Sequence, residues 1–161
     1  AAGTIVAFNV VKNIIEEVAW RGYLTPKMNA VVKRPIMGHL LVGFFWGAWH
    51  IPYYLGLLDA GALENYTAFP LSTFIPLVVL GMTIAGILFG ELRLITGSIW
   101  PPVLMHTVSN VLILTLLLEN FVDVMPNSAL IFTPSWEGLL MMVIILIIGL
   151  VINNERKKEE N

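Results

Sequence analysis

Residues 138–152 read Gly-Leu-Leu-Met-Met-Val-Ile-Ile-Leu-Ile-Ile-Gly-Leu-Val-Ile and contain no charged side chain. A helix needs about 20 mostly apolar residues to cross a bilayer, and this run with its flanks approaches that length. Working outward from it, further segments of similar length and composition stand out. The five predicted membrane helices are residues 4–24, 37–57, 70–93, 99–118 and 137–153. The sequence therefore predicts an all-α fold, a polytopic transmembrane helical bundle.

The composition of the whole chain agrees with this class. Of its 161 residues, 57% are apolar and 12% are charged, whereas soluble domains contain about 45–50% and about 25%. The mean hydropathy is +0.81. A net charge of −2 gives no sign of a nucleic-acid partner. We predict one membrane domain over residues 1–154 and a polar tail over residues 155–161.

The chain starts Ala1-Ala2-Gly3-Thr4, with no methionine, basic stretch or small-residue cleavage site. We therefore predict no signal peptide. We expect instead that the domain is N-terminally truncated, with helices preceding it in a longer protein.

The basic residues predict the orientation of the bundle. Lysine and arginine occur in residues 22–36, at Arg93 and in residues 155–161, but in neither 58–69 nor 119–136. Helices threaded in order place all the basic stretches on one side of the membrane, which the positive-inside rule assigns to the cytoplasm. Both residues 22–36 and the C-terminus are therefore expected to be cytoplasmic.

Several catalytic classes are excluded by residue content. The chain has no cysteine, so it has no thiol nucleophile and no thiolate metal site. Asp59 and Asp123 both fall in loops, which removes the aspartate pair of an intramembrane aspartyl protease. Neither Ser98 nor Ser109 lies in a Gly-x-Ser-x-Gly context, so a serine hydrolase is disfavoured although Ser109 follows His106 at a spacing of three.

Charged and strongly polar groups nevertheless lie inside the predicted helices. Glu16 and Glu17 are in the first, His50 is in the second, and His106 and Asn110 are in the fourth. An ionised group in a membrane helix costs at least about 2.5–3.5 kcal/mol. We therefore expect these side chains to face one another across the bundle or to line a water-filled cavity.

Their spacings suggest partners within each helix. Glu17 and Arg21 are one helical turn apart, so an ion pair is available. His106 and Asn110 share a face for the same reason. Glu16 lies about 100° around the helix from Glu17, which leaves one carboxylate for the site while the other holds Arg21.

These groups suit the hydrolysis of a peptide bond without a covalent nucleophile. A carboxylate and an imidazole from two helices can hold and deprotonate a water molecule, and a second imidazole with an amide can stabilise an oxyanion. Glu16, His50 and His106 are equally a plausible ligand set for Zn²⁺. The His-Glu-x-x-His pattern is absent, so such a site would be assembled from separate helices.

The pattern Glu16-Glu17-x-x-x-Arg21, then Trp46-x-x-x-His50, then His106-x-x-x-Asn110 resembles the three-motif signature of the CPBP intramembrane proteases. That family contains type II CAAX prenyl endopeptidases and bacteriocin-processing or self-immunity proteins. Residues 91–101 are also similar to family members, and the resemblance spans residues 16–110.

The resemblance implies roles for the motif residues. Glu16 and His50 resemble the pair that activates the hydrolytic water, and His106 and Asn110 resemble the pair that stabilises the oxyanion. It also implies a membrane-embedded peptide or protein substrate, such as a prenylated C-terminus or a bacteriocin leader. The family is named as metalloproteases, so Zn²⁺ is an implied cofactor, although the sequence leaves metal dependence open.

Two further points follow from the same resemblance. Glu17 and Arg21 are similar to supporting residues. The family usually has phenylalanine four positions before the histidine of the second motif, where this chain has Trp46. An aromatic ring is retained, so the departure is expected to affect packing rather than chemistry.

Other polar and aromatic residues are interpreted as structural. His39 is expected to be a packed histidine, and Glu91 with Arg93 an interfacial anchor. The tryptophans at positions 46, 49, 100 and 136 are interpreted as interfacial or packing residues.

Two other functions fit the same bundle. A non-catalytic immunity or interaction protein would use the polar cluster only to hold helices together. A proton-coupled transporter would use Glu and His as a relay, although no inverted repeat is visible.

Overall fold

The computed structural model describes residues 2–56, 67, 69–113 and 125–160. Within these ranges the regular structure is entirely helical, which confirms the predicted all-α class. The elements in chain order are α1 (Ala2–Glu17), a π-helix (Val18–Leu24), α2 (Thr25–Val32), α3 (Pro35–Trp49), α4 (Ile51–Gly56), α5 (Leu71–Thr96), α6 (Trp100–Ile113), a 3₁₀ turn (Pro126–Ser128), α7 (Ala129–Phe132) and α8 (Leu139–Glu160).

The first helical run is longer than the sequence predicted. The wide turns of the π-helix continue directly into α2, so the predicted end at residue 24 is wrong and most of the predicted loop over 22–36 is helical. Pro26 lies in the first turn of α2, directly after the π-helix, and cannot donate a backbone hydrogen bond to the preceding turn. The run ends at Lys33, whose φ of 54° is left-handed.

α1 is polar inside and apolar outside. Asn9, Asn13 and Glu17 are buried, whereas Phe8 and Ile15 are 68% and 67% exposed. A helix in water shows the opposite arrangement, with its apolar stripe toward the core. The outer face of α1 is therefore suited to hydrocarbon, and its inner face supplies polar groups to the bundle.

α5 is the central helix, and both α3 and α8 pack against it. Gly43 and Gly47 of α3 allow the closest approach, because a Cβ at Gly43 would lie 2.6 Å from the Met82 carbonyl oxygen and one at Gly47 would lie 2.9 Å from Val79 Cα. Small residues at such spacings permit backbone-to-backbone packing in membranes. This seam fixes the position of the residues that α3 carries toward the site.

Within the described ranges, α5 and α8 are long and apolar enough to cross a membrane, over Leu71–Thr96 and Leu139–Glu159. α1 carries several polar residues, and α3 and the described part of α6 are short. The five predicted segments all contain helices, but five crossings stay a prediction. Two stretches, 58–69 and 119–136, contain no lysine or arginine, and their aspartates, Asp59 and Asp123, lie outside the described residues.

The structure adds two features to the C-terminal part. α8 continues to Glu160, so residues 155–160 of the predicted polar tail (155–161) are helical. Its Glu155 and Lys158 form a surface ion pair of 2.6 Å. The segment 133–138 enters the bundle, and Trp136 and Glu137 are buried there. Trp136 consequently reaches the aromatic side chains that surround the candidate site.

Candidate active site

Glu17 is the meeting point of two motif residues. Its Oε1 accepts a hydrogen bond of 3.0 Å from Arg21 Nη1 and lies 2.8 Å from His106 Nδ1. The predicted Glu17–Arg21 pair is thereby confirmed. The contact with His106 was not predicted, and it joins α6 to α1 through a buried carboxylate.

Arg21 is fully buried between two aromatic rings. Its guanidinium carbon lies 4.3 Å from the centre of the Trp46 ring and 4.5 Å from that of Phe89. Nε and Nη2 have no hydrogen-bond partner in the described part of the chain, so these cation–π contacts replace part of the lost hydration. One residue thus ties the π-helix to α3 and α5.

The sequence predicted that Glu16 is free of partners within its helix, but both of its oxygens have a partner. Its Oε1 is paired with Lys12 Nζ at 3.1 Å, and its Oε2 accepts a hydrogen bond of 3.1 Å from Trp46 Nε1. Lys12 was missed although it precedes Glu16 by the same four residues that separate Glu17 from Arg21. Trp46 is also more than a packing residue, because a phenylalanine at this position has no N–H to donate.

His50 caps the end of α3 and is held in one tautomer. Its Nδ1 lies 2.9 Å from the carbonyl oxygen of Trp46. A carbonyl only accepts, so Nδ1 must carry the proton and Nε2 of the neutral ring is an acceptor. That nitrogen is therefore suited to accept a hydrogen bond from water.

The Nδ1 contact of His106 also fixes where the ring proton lies, but with a different consequence for Nε2. Because Nδ1 faces the Glu17 carboxylate, Nδ1 carries the proton, and Nε2 can donate only when the ring is an imidazolium. An oxyanion role for His106 therefore requires a doubly protonated ring whose Nδ1–H stays on Glu17.

Asn110 is oriented by a polar chain from α1. Its Nδ2 donates to Asn13 Oδ1 at 3.1 Å, and Asn13 Nδ2 donates to Thr107 Oγ1 at 3.2 Å. Thr107 in turn donates to the Val103 carbonyl at 2.8 Å. One N–H of the Asn110 amide is left for a ligand. Asn13 and Thr107 were missed, although Asn13 lies one turn before Glu17.

The structure gathers three of the four predicted catalytic residues around one indole. Glu16 is bonded to Trp46, and the rings of His50 and His106 are centred 6.3 Å and 5.2 Å from the Trp46 ring. Asn110 lies one helical turn beyond His106. No hydrogen bond among the described residues joins Glu16 to either histidine, so a water molecule would have to connect them.

The donor set does not fit a metal in this arrangement. Among the described residues, no three His or carboxylate side chains are grouped closely enough to hold an ion. Lys12 and Trp46 occupy both oxygens of Glu16. Zn²⁺ binding by Glu16, His50 and His106 stays a prediction, and no chemical step is assigned to a metal.

A second polar cluster surrounds Glu91, and it corrects the interpretation of Glu91 as an interfacial anchor. Glu91 is fully buried. Its Oε1 accepts from Asn153 Nδ2 at 2.8 Å, and its Oε2 accepts from Arg156 Nε at 2.7 Å. His39, packed as predicted, places Nε2 3.2 Å from Oε1. The cluster joins α3, α5 and α8.

Comparison with protein families finds one match. The family model described as type II CAAX prenyl endopeptidase Rce1-like matches residues 1–112. The matched range contains all the motif residues from Glu16 to Asn110 and ends before the segment 125–160. No curated protein and no solved structure matches the chain.

Proposed function

The chain belongs to the Rce1-like family of type II CAAX prenyl endopeptidases, and we propose that it is an intramembrane endopeptidase that uses water activated by Glu16 and His50. The family implies a protease of the CAAX type in a membrane. The observation that carries the finer proposal is the arrangement of Glu16, His50 and His106 around the buried Trp46.

Water activation is assigned to α1 and α3. Glu16 takes one proton from water while the water oxygen bonds to the carbonyl carbon of the peptide bond. His50 supports this step because its Nε2 can accept a hydrogen bond from the second O–H of the water. The proton on Glu16 then moves to the leaving amine as the C–N bond breaks. No covalent bond between enzyme and substrate is formed.

Oxyanion stabilisation is assigned to α6. The free N–H of Asn110 and the Nε2–H of a protonated His106 donate to the oxygen that becomes negative in the transition state. Glu17 and Asn13 hold the two donors in place through their hydrogen bonds. Arg21 keeps Glu17 in position.

We propose a membrane-associated substrate, either a prenylated C-terminus or a leader peptide. The outer face of α1 is apolar, with Phe8 and Ile15 largely exposed, so the helix that carries Glu16 is suited to the bilayer in which a lipid-anchored peptide is held. Comparing the cleavage of one peptide with and without its prenyl group separates these two substrate classes.

The experiment that tests the function compares membrane proteomes from cells that produce the parent, Glu16→Ala and Glu155→Ala. The last removes a surface carboxylate on α8 and serves as the matched control. We expect new membrane-peptide ends with the parent and with Glu155→Ala, and none with Glu16→Ala. Identical peptide ends in all three would contradict proteolysis that depends on Glu16; if these ends also occur in cells without the protein, a binding or transport role is favoured.

Metal dependence is tested on the same purified protein. Activity that survives a chelator supports hydrolysis by side chains alone. Activity that is lost and then restored by Zn²⁺ would show that Glu16, His50 and His106 rearrange to bind the ion.

We also propose that residues 22–36 and the end of α8 face the cytoplasm. The chain has no native cysteine, so single cysteines at Lys33 and Lys157 can be labelled in sealed cells without background. Labelling of either position from outside would reverse the orientation.

A further inference from the structure

None of the roles assigned so far explains the hydrogen bond between Trp46 and Glu16. Trp46 is a fully buried residue of α3, and its indole Nε1 donates to Glu16 Oε2 over 3.1 Å. The other oxygen, Oε1, is paired with Lys12 at the same distance. The two oxygens of the proposed base therefore have partners of very different kinds.

The Trp46 ring cannot change its direction easily. Arg21 stacks on it at 4.3 Å, and the rings of Phe89, His106 and Trp136 are centred 5.4 Å, 5.2 Å and 5.9 Å away. A residue enclosed in this way keeps one rotamer, because any other would displace packed neighbours. The N–H of the indole is therefore aimed at Glu16 by the π-helix, α5, α6 and the segment 133–138 together.

Lys12 is held much less firmly. Its side chain is 37% exposed, compared with 8% for that of Glu16, and four rotatable bonds separate its ammonium group from the backbone. A long lysine side chain can turn its ammonium group toward another polar region while its methylene groups stay against apolar surface. Lys12 can therefore leave Oε1 without displacing packed neighbours, whereas Trp46 cannot leave Oε2.

We propose that Trp46 is a positioning residue for the catalytic base: its indole N–H fixes the Glu16 carboxylate through Oε2, and Oε1 exchanges Lys12 for the water that is deprotonated. This inference rests on the proposed function. It assigns a different task to each oxygen of one carboxylate, with Trp46 as the fixed partner and Lys12 as the exchangeable one.

The kinetic test compares Trp46→Phe, Lys12→Met and Trp100→Phe with the parent. Trp46→Phe keeps an aromatic ring and removes the N–H. We expect kcat to fall about 10- to 100-fold, as for the loss of one hydrogen bond to a charged group, with KM unchanged within about twofold. Lys12→Met should lose less, and Trp100→Phe, which changes a 57% exposed tryptophan, should match the parent.

Two kinetic results would overturn the inference. One is a Trp46→Phe variant whose kcat stays within about twofold of the parent. The other is a larger loss in Lys12→Met than in Trp46→Phe, which would make Oε1 the fixed oxygen. If the parent cleaves no more peptide than Glu16→Ala, the proposed function fails, and a spectroscopic measurement then decides the positioning claim.

That measurement uses the indole N–H resonances of the five tryptophans. The resonance of Trp46 is assigned by elimination from phenylalanine variants of the other four, so it does not require Trp46→Phe to fold. In Glu16→Ala, we expect the Trp46 signal to move upfield by more than any other. An unchanged Trp46 signal would show that the hydrogen bond does not exist in the folded protein.

Discussion

Glu17 and Glu91 are both fully buried carboxylates, and each contacts one histidine and one arginine. The two carboxylates differ in their remaining capacity to accept hydrogen bonds. Both oxygens of Glu91 accept hydrogen bonds, from Asn153 and from Arg156. Glu17 uses only Oε1, while its Oε2 has no hydrogen-bond partner within the described ranges.

The arginines differ in the same sense. Arg156 directs both Nε and Nη2 at Glu91, whereas Arg21 gives only Nη1 to Glu17, and its Nε and Nη2 have no hydrogen-bond partner among the described residues. The Glu91 cluster also has a buried group without a partner in the described ranges, but it is the ring nitrogen Nδ1 of His39 and belongs to neither the carboxylate nor the arginine. Unused hydrogen-bonding capacity on the carboxylate and the arginine is what a site for water and substrate requires, and it separates the two clusters better than burial does.

The largest difference between the two clusters is expected from removing a negative charge. Glu16→Gln, next to Glu17, should lower kcat by about 10²–10⁴ because the proton acceptor is lost, with little change in thermal stability. Glu91→Gln should instead lower the melting temperature and leave the kcat of the folded fraction near that of the parent. Activity per folded molecule and melting in detergent distinguish the two outcomes. A fully active Glu16→Gln would refute the mechanism.

Removing the arginines sharpens the comparison. Arg21→Ala and Arg156→Ala each leave a buried carboxylate without its cation, at a cost of roughly 3–5 kcal/mol. Both should reduce folding yield, but only Arg21→Ala should also reduce activity per folded molecule, because Glu17 then loses its hold on His106. An Arg21→Ala protein that is inactive yet as stable as the parent would mean that Arg21 acts on the substrate.

Asn110→Ala removes the amide N–H that is proposed to donate to the oxyanion. We expect kcat to fall by about 10²–10³ with little change in KM, as when one oxyanion donor is removed. Asn153→Ala removes the corresponding amide from the Glu91 cluster and is the matched control. It should affect melting temperature and not kcat, and equal kcat losses in both variants would erase the distinction.

The smallest expected effect is on the pH dependence of stability and comes from Glu137, a buried carboxylate that lies outside the two helices long enough to cross a membrane. Burial raises the pKa of Glu137 above 4.5, while its own backbone N–H and the Ser135 hydroxyl oppose the rise only in part. The folded protein therefore holds this proton more tightly than the unfolded chain, and the associated stability is lost as pH increases above 4.5. Glu137→Gln should flatten this decline in melting temperature. A decline as steep as that of the parent would assign it to other groups.

The sequence predicted the helical class and the Glu17–Arg21 pair well, because those depend on local patterns. Glu17 and Arg21 are one turn apart, and that spacing alone gives their pair. Lys12 and Asn13 were predictable in the same way, since Lys12 precedes Glu16 by four residues and Asn13 precedes Glu17 by four. They were missed because only the motif residues were followed, and not the residues one turn before them.

Other features depend on distant parts of the chain. The partners of Glu91 follow it by 62 and 65 residues, so no local spacing could reveal that it is a buried link. The contact of His106 with Glu17 spans 89 residues, and the bond from Trp46 to Glu16 spans 30. Patterns along one helix identify which residues are polar and inward, but the packing of helices decides which of them meet.

The dependence of Glu91 on α8 has a consequence for biosynthesis. During translation, α5 is made well before Asn153 and Arg156, so Glu91 enters the membrane before either of its α8 partners exists. A ribosome that stops after residue 113 releases a chain with all the motif residues and an incomplete second cluster. Arrival of α8 is thus the step that gives the Glu91 carboxylate its amide and guanidinium partners.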